Sequence, residues 1–272
     1  METLVRLAVL ALLVAASATA VRGFYRPALE PVARRLLAAA FLVETALLGH
    51  AAVRLQGFPA VTVGSWVEFF VWMVLGVYLV GVRRPSWAAL GGFVAPLVTV
   101  IWVGGELVDV PLTPALPRDL VGAWLVAHVA LATAAYTAFL LASAAAVMYI
   151  EKERELRQKT PRLFYYRLPA LADSDRWSRR WVAVGLPLLT AAMITGSVWS
   201  KRVLGVYWDW SPKEVWSSVT WAVYALYLLA RRWGWGGHRA AWLSIWAFVF
   251  VAVNFLGVNI VFHGVHDYRG AG

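Results

Sequence analysis

Eight apolar runs, most of them near twenty residues long, leave this chain few ways to fold. They lie near 4–21, 36–55, 62–82, 86–108, 120–150, 181–200, 215–230 and 240–262. At a rise of about 1.5 Å per residue, about twenty helical residues cross the roughly 30 Å hydrocarbon core of a bilayer. Backbone polar groups in lipid must be satisfied within the segment or in a closed barrel. These runs are too long and too uniformly apolar for barrel strands. The expected fold is all-α: a polytopic integral membrane protein, an eight-helix transmembrane bundle forming a single membrane domain over 1–272. With 61% hydrophobic and 15% charged residues, the chain exceeds what a water-soluble domain carries. The seventh run is short and leans on Trp216 and Trp221 to reach the interface. The fifth projects beyond the bilayer into EKERELRQK, a charged extension in which Glu151 and Glu155 can pair with bases a turn away.

The net charge of +10 is spread over loops rather than gathered on one face. That distribution argues against nucleic acid as a partner and makes the basic residues orientation signals in a lipid bilayer. Ala16, Ala18 and Ala20 imitate a signal-peptide cleavage site. With the amino terminus outside, the inner loops hold Arg22, Arg26, Arg34 and Arg35, then Arg83 and Arg84, nine bases from Lys152 to Arg180, and Arg231, Arg232 and Arg239. These are 18 of the 25 Lys and Arg. Removing the first helix would invert that balance, so an uncleaved chain with both termini outside is expected. The chain has no cysteine, which excludes disulfides, thiolate metal sites and a thiol relay of its own. It has no Walker loop, HExxH or GxSxG either.

On the outer side falls Gly205–Trp221, GVYWDWSPKEVWSSVTW, with four tryptophans between two apolar runs. An interfacial belt accounts for two or three of these rings. It gives no reason for the Pro-Lys-Glu after Ser211, and the aromatic density reads as a platform for a flat ligand. Of the five histidines, His238 falls in an inner loop and reads as solvated. His128 sits about two turns into the fifth helix near its outer end, and His263 and His266 follow the last helix. An ionisable side chain in a membrane segment is a site candidate, although a lone histidine there often serves as an interhelical hydrogen-bonder. Two imidazoles from different elements can clamp a haem iron axially. Convergence on one leaflet beside the tryptophans favours the pair His128 and His266. Lys213 can then meet a haem propionate and Glu214 can order the loop. Equally, Pro212 and Glu214 can simply start a helix.

From Trp124 to Tyr268 the chain resembles the CcsA/ResC haem-handling proteins of the System II cytochrome c maturation pathway. Their tryptophan-rich signature, roughly WGxYWxWDPKExW, is met by Gly205, Tyr207, Trp208, Trp210, Pro212, Lys213, Glu214 and Trp216. Leu168–Leu171, Gly185, Pro187, Thr190, Gly196 and Trp199 fit the segment before it. Gly257–Asn259 and His266-Asp267-Tyr268 fit the ending after it. The signature departs at Leu204 and Ser211, and Leu229 stands where relatives often carry an intramembrane histidine, which leaves His50 as the candidate for a second site. Residues 1–119, the first four helices, match weakly, with Glu68 displaced from the family's acidic position. Residues 120–272 form the haem-handling core, with the external loop at 201–216.

The resemblance implies a protein that takes haem b from within the membrane and presents it outside for attachment to a CxxCH apocytochrome c. It would do so in a CcsB/ResB–CcsA/ResC-type complex, as a component of a cytochrome c synthase, in a plasma or thylakoid membrane. His128 and His266 would ligate the iron, with Tyr207, Trp208, Trp210, Lys213 and Trp216 around the ring, and attachment would be favoured by positioning. A separate CcsB/ResB-like partner and a thiol-reducing partner are called for, since the chain has no cysteine. Two other classes fit less of the pattern: a bis-histidine b-type cytochrome subunit passing electrons, and a transporter or scaffold that binds no haem.

Overall fold

The computed structural model describes residues 2–57, 62–82, 85–107, 123–159 and 163–252. Among them every long element is an α-helix: α1 (Glu2–Gly23), α2 (Glu30–Leu55), α3 (Val63–Gly81), α4 (Gly91–Leu107), α5 (Ala123–Arg157), α6 (Leu163–Arg167), α7 (Leu171–Leu204), α8 (Pro212–Arg232) and α9 (Gly237–Ala252). Within the described residues each apolar run lies on one of these helices, the last of them only as far as Ala252, and α6 is an added short turn in the basic loop. Among the described residues five helices, α1, α2, α3, α5 and α7, are long and apolar enough to cross a membrane. The protein is therefore an all-α, multi-pass membrane protein.

The chain divides into two compact units: residues 1–110 with 151–170, and residues 111–150 with 171–272. In the first unit α1 packs on α2 and α4, and α3 packs on α2 and α4, so the four helices close a ring. The seam on α1 is Val9, Leu13 and Ala16; on α2 it is Ala33, Leu37, Ala40, Glu44 and Leu48. Spacings of three and four keep these residues on one helical stripe. The alanines let backbones approach, which matters in lipid because packing rather than water exclusion holds helices together. Leu4, Leu7, Val14 and Leu42 point outward instead. Thr62 starts α3 with a reciprocal capping box to Ser65.

The charged extension of the fifth run is helical as expected, and in it Glu153 pairs with Arg157 at 2.9 Å. Lys152 turns back to Leu168, donating to its carbonyl at 2.8 Å, and lies over the Tyr165 ring.

The second unit is built on α5, α7, α8 and α9, which share one core of Ala135, Phe139, Ala142, Val182, Leu189, Tyr224, Tyr227, Ala240, Ala247 and Val251. At its centre Phe139 and Tyr224 stack face to face. Near the far end of this bundle Ser178 donates to Ser244 and shares a hydrogen bond with Tyr227. There Arg231 grips Asp175 through two hydrogen bonds of 2.7 and 2.6 Å, and Asp175 also accepts from the Gly237 N–H. One carboxylate thus ties α7 to the end of α8 and the start of α9. α7 begins ten residues before its apolar run. The extra turns, LADSDRWSRR, are amphipathic and carry the Asp173–Arg176 pair on their exposed face.

Candidate functional site

The tryptophan loop is shorter than the 201–216 read from the sequence. α7 continues to Leu204 and is closed by Gly205, whose φ of +78° is the left-handed cap that glycine adopts without strain. Pro212 then opens α8, where its missing N–H is no loss. Only Gly205 to Ser211 is non-helical, and hydrogen bonds hold it at several points. The Lys201 ammonium donates to the Gly205 carbonyl at 2.6 Å and Ser200 donates to the Val206 carbonyl at 2.9 Å. The Ser211 N–H donates to the Asp209 carboxylate, and the Asp209 N–H to the Glu214 carboxylate, each at 2.9 Å. Glu214 therefore orders the loop and also sits in the first turn of α8, so both readings of that residue hold. Where the family's signature carries an acid, Ser211 makes no side-chain cap. Asp209 supplies a carboxylate to the same stretch of backbone two residues earlier.

Trp210 sits in the left-handed region, at φ +58°, with its side chain 76% exposed. A bulky residue in that region is strained, and such strain persists only where surrounding bonds impose it. Here the Asp209 and Glu214 carboxylates on either side do so. The half-buried Trp208 meets Trp210 edge-on, with ring centroids 6.2 Å apart and planes at 85°. The two indoles form a corner rather than one continuous flat face. Tyr207 is exposed, with the Lys201 ammonium 5.4 Å from its ring centroid. Trp216 turns inward, tilted against Phe250 of α9, and Trp221 donates its indole N–H to Thr190 of α7. These last two rings pack helices.

His128 lies in the second turn of α5, against α7. Its Nδ1 is 2.7 Å from the Ala192 carbonyl oxygen. A carbonyl only accepts, so Nδ1 carries the proton and Nε2 keeps the lone pair that a metal requires. The ring fits beside Gly196, where an added Cβ would come within 2.7 Å of Nδ1. Lys213, in the first turn of α8, is close enough to act on His128 electrostatically. From Gly196 to the end of α7 is eight residues, about 12 Å along the helix. His128 thus sits below the loop, against the helix that leads into it.

His266 and His263 lie outside the described residues. His50 is exposed in the last two turns of α2, in the first unit. His238 is not simply solvated: it accepts the Trp242 indole N–H at 3.1 Å. Leu229 is 45% exposed on α8, turned away from the bundle core. Among the described residues no three His, Asp or Glu side chains converge as a metal-ion cage. Sequence reading passed over one group, the acids Glu44, Glu68 and Glu106 with Arg6. Their signal was charge inside apolar runs.

The profile of a family described as Cytochrome C assembly protein matches residues 35–266. Among similar proteins is the cytochrome c biogenesis protein CcsA of Heterosigma akashiwo, 29% identical over 250 residues, covering 78% of this chain and 76% of its own. The protein of the same name from Guillardia theta is 29% identical over 252 residues, covering 84% and 82%. That of Gloeobacter violaceus is 27% identical over 299, covering 89% and 87%.

Proposed function

The chain belongs to the cytochrome c assembly protein family, and from that premise we propose that it binds haem b on the outer side of the membrane and presents it to apocytochrome c. A role in cytochrome c maturation follows from the family itself. The finer reading rests on one observation above all, the Nδ1–H bond from His128 to the Ala192 carbonyl. It orients an imidazole with its lone-pair nitrogen available at the base of an aromatic loop. His128 and His266 are the proposed axial ligands. Trp210, held exposed by the Asp209 and Glu214 bonds, lies against one face of the porphyrin, with Trp208 closing the corner. Lys213 is the cation for a propionate.

The residues of this chain bind and orient; none is placed as an acid–base catalyst. Thioether formation adds a cysteine S–H of the CxxCH segment across each haem vinyl group. A new C–S bond forms and the proton ends on the vinyl carbon, with no net redox change. Reduced thiols come from the apocytochrome, kept so by a separate reductant. A CcsB/ResB-like membrane subunit completes the complex. Both termini face outward, in a topology of eight crossings, and 120–272 carries the haem-handling function.

His128→Ala and His266→Ala each remove most of the low-spin haem absorption from the detergent-purified protein, and free imidazole partly restores it by filling the vacated axial position. An unchanged spectrum in the double variant would sink the ligand assignment. The exposed setting of Trp210 speaks for a haem that is handed on, against a permanent cytochrome that buries its haem between helices.

A further inference from the structure

The first unit carries a charge cluster of its own. Its four helices run alternately up and down. The starts of α1 and α3 and the ends of α2 and α4 therefore share one end, where Glu2 of α1 lies 3.6 Å from Arg54 of α2. Four ionisable side chains, one per helix, meet just inside that end. Arg6 of α1 pairs with Glu106 of α4 at 2.8 Å and with Glu68 of α3 at 3.3 Å. Glu44 of α2 is the fourth. It lies eleven residues before the end of its helix, about 16 Å along the axis. It is wholly buried, and its Oε1 accepts the buried Trp102 indole N–H at 2.7 Å. Its Oε2 is buried with no hydrogen-bond partner among the described residues.

Three carboxylates thus face one guanidinium in a setting where each unpaired charge is costly. Arg6 is committed to Glu68 and Glu106, and Arg54 to Glu2 at the surface. Glu44 has only a neutral donor, and a buried carboxylate oxygen without a partner calls for a positive counterpart. There is a route for one. A cavity of about 310 Å³ is lined by Glu2, Arg6, His50, Thr62, Ser65 and Glu68, so hydroxyls and carboxylates lead from the end of the bundle to the cluster. The carboxylates do not converge as a multidentate cage, which argues against a divalent metal.

We propose that the first unit holds an exchangeable monovalent cation, a proton or an alkali ion, at the Glu44 carboxylate, reached through the cavity past Arg6 and Glu68. The site faces Arg6, Glu68 and Glu106 from the three neighbouring helices, with Glu2, His50 and Arg54 at its entrance. A monovalent cation brings the net charge of the cluster from −2 to −1, and its loading and release make this end of the bundle responsive to the medium it faces.

The full chain in detergent tests this in two arms that involve no haem, so the result stands apart from the haem reading. Infrared difference spectra between buffers of different pH detect a protonated carboxyl group. Thermal unfolding in sodium, potassium and choline chloride at one ionic strength detects an alkali ion. A carboxyl signal that is lost in Glu44→Gln identifies a proton. A rise in melting temperature in sodium or potassium over choline, also lost in Glu44→Gln, identifies an alkali ion. Asp173→Asn, in the exposed pair at the start of α7, retains either signal. Glutamine keeps an oxygen for the Trp102 bond; if Glu44→Gln fails to accumulate, Glu68→Gln, which removes a neighbouring negative charge, shifts the pH or salt midpoint of either signal. Absence of both signals in the unaltered protein, survival of a signal in Glu44→Gln, or an unmoved midpoint in Glu68→Gln overturns the proposal.

Discussion

Gly196→Ala is the sharpest test of the haem reading, because it alters a residue that reaches no ligand itself. Its added Cβ would lie 2.7 Å from His128 Nδ1 and 2.8 Å from Cε1. Side-chain carbons do not approach that closely, so the imidazole has to rotate or move away. Either response breaks the 2.7 Å bond to the Ala192 carbonyl and turns Nε2 from its heading. The hydrogen bond itself is worth about 0.5–1.5 kcal/mol net. Removing the group that orients a ligating histidine typically weakens the metal complex about 10- to 100-fold, or roughly 1.4–2.7 kcal/mol. The expected outcome is a loss of haem affinity of that size in a protein that still inserts at near-normal levels. The assay is haem titration of detergent-purified protein, with immunoblot abundance alongside. Gly185→Ala is the control: on the same helix, its Cβ would meet the core ring of Phe139 at 2.5 Å. It should lower stability without a specific change in haem affinity. Wild-type haem binding by Gly196→Ala, or parallel losses of protein and haem in both variants, would refute the argument.

Three further outcomes are expected. Trp208→Ala and Trp210→Ala reduce haem per protein, by pyridine haemochrome, while abundance stays near normal, and Trp233→Ala does neither; equal losses of protein and haem in all three would make the indoles anchors of the fold. Asp175→Ala removes both bonds from Arg231 and the one from Gly237, and should cost about 1.5–3 kcal/mol, the range for a hydrogen bond to a charged group, read as a lower unfolding midpoint; an unchanged midpoint would mean α7, α8 and α9 are held by their shared core alone. Single cysteines in Tyr165→Cys and Trp235→Cys resist an impermeant thiol reagent on intact cells whereas Gly270→Cys reacts, and the reverse pattern would overturn the outward termini.

The linear chain by itself determined the class of structure. Apolar runs of about twenty residues have no alternative in lipid to helices, and within the described residues each lies on one. The tryptophan stretch and His128 stood out because aromatic density and an imidazole in a membrane segment are uncommon against an aliphatic background. Gly205 and Pro212, the residues that bound the loop, are legible in the same way, since each has a local backbone preference. Gly196 is different: the family resemblance marked it, and only its contact with His128 explains it.

What tertiary structure decided concerns pairs of residues distant in the chain. Trp216 and Trp221 belong to the same aromatic stretch as Trp208 and Trp210, yet they face Phe250 and Thr190 because α8 turns that side toward α9 and α7. The perpendicular setting of Trp208 and Trp210 depends on the left-handed backbone that Asp209 and Glu214 impose. Arg6, Glu44, Glu68 and Glu106 are separated by up to a hundred residues, and each alone is an isolated charge in an apolar run. Their grouping follows from helices alternating in direction, which brings residues near the starts of α1 and α3 beside residues toward the ends of α2 and α4. Periodicity fixes which face of a helix is apolar, but which neighbour that face meets, and at what height, is settled by packing alone.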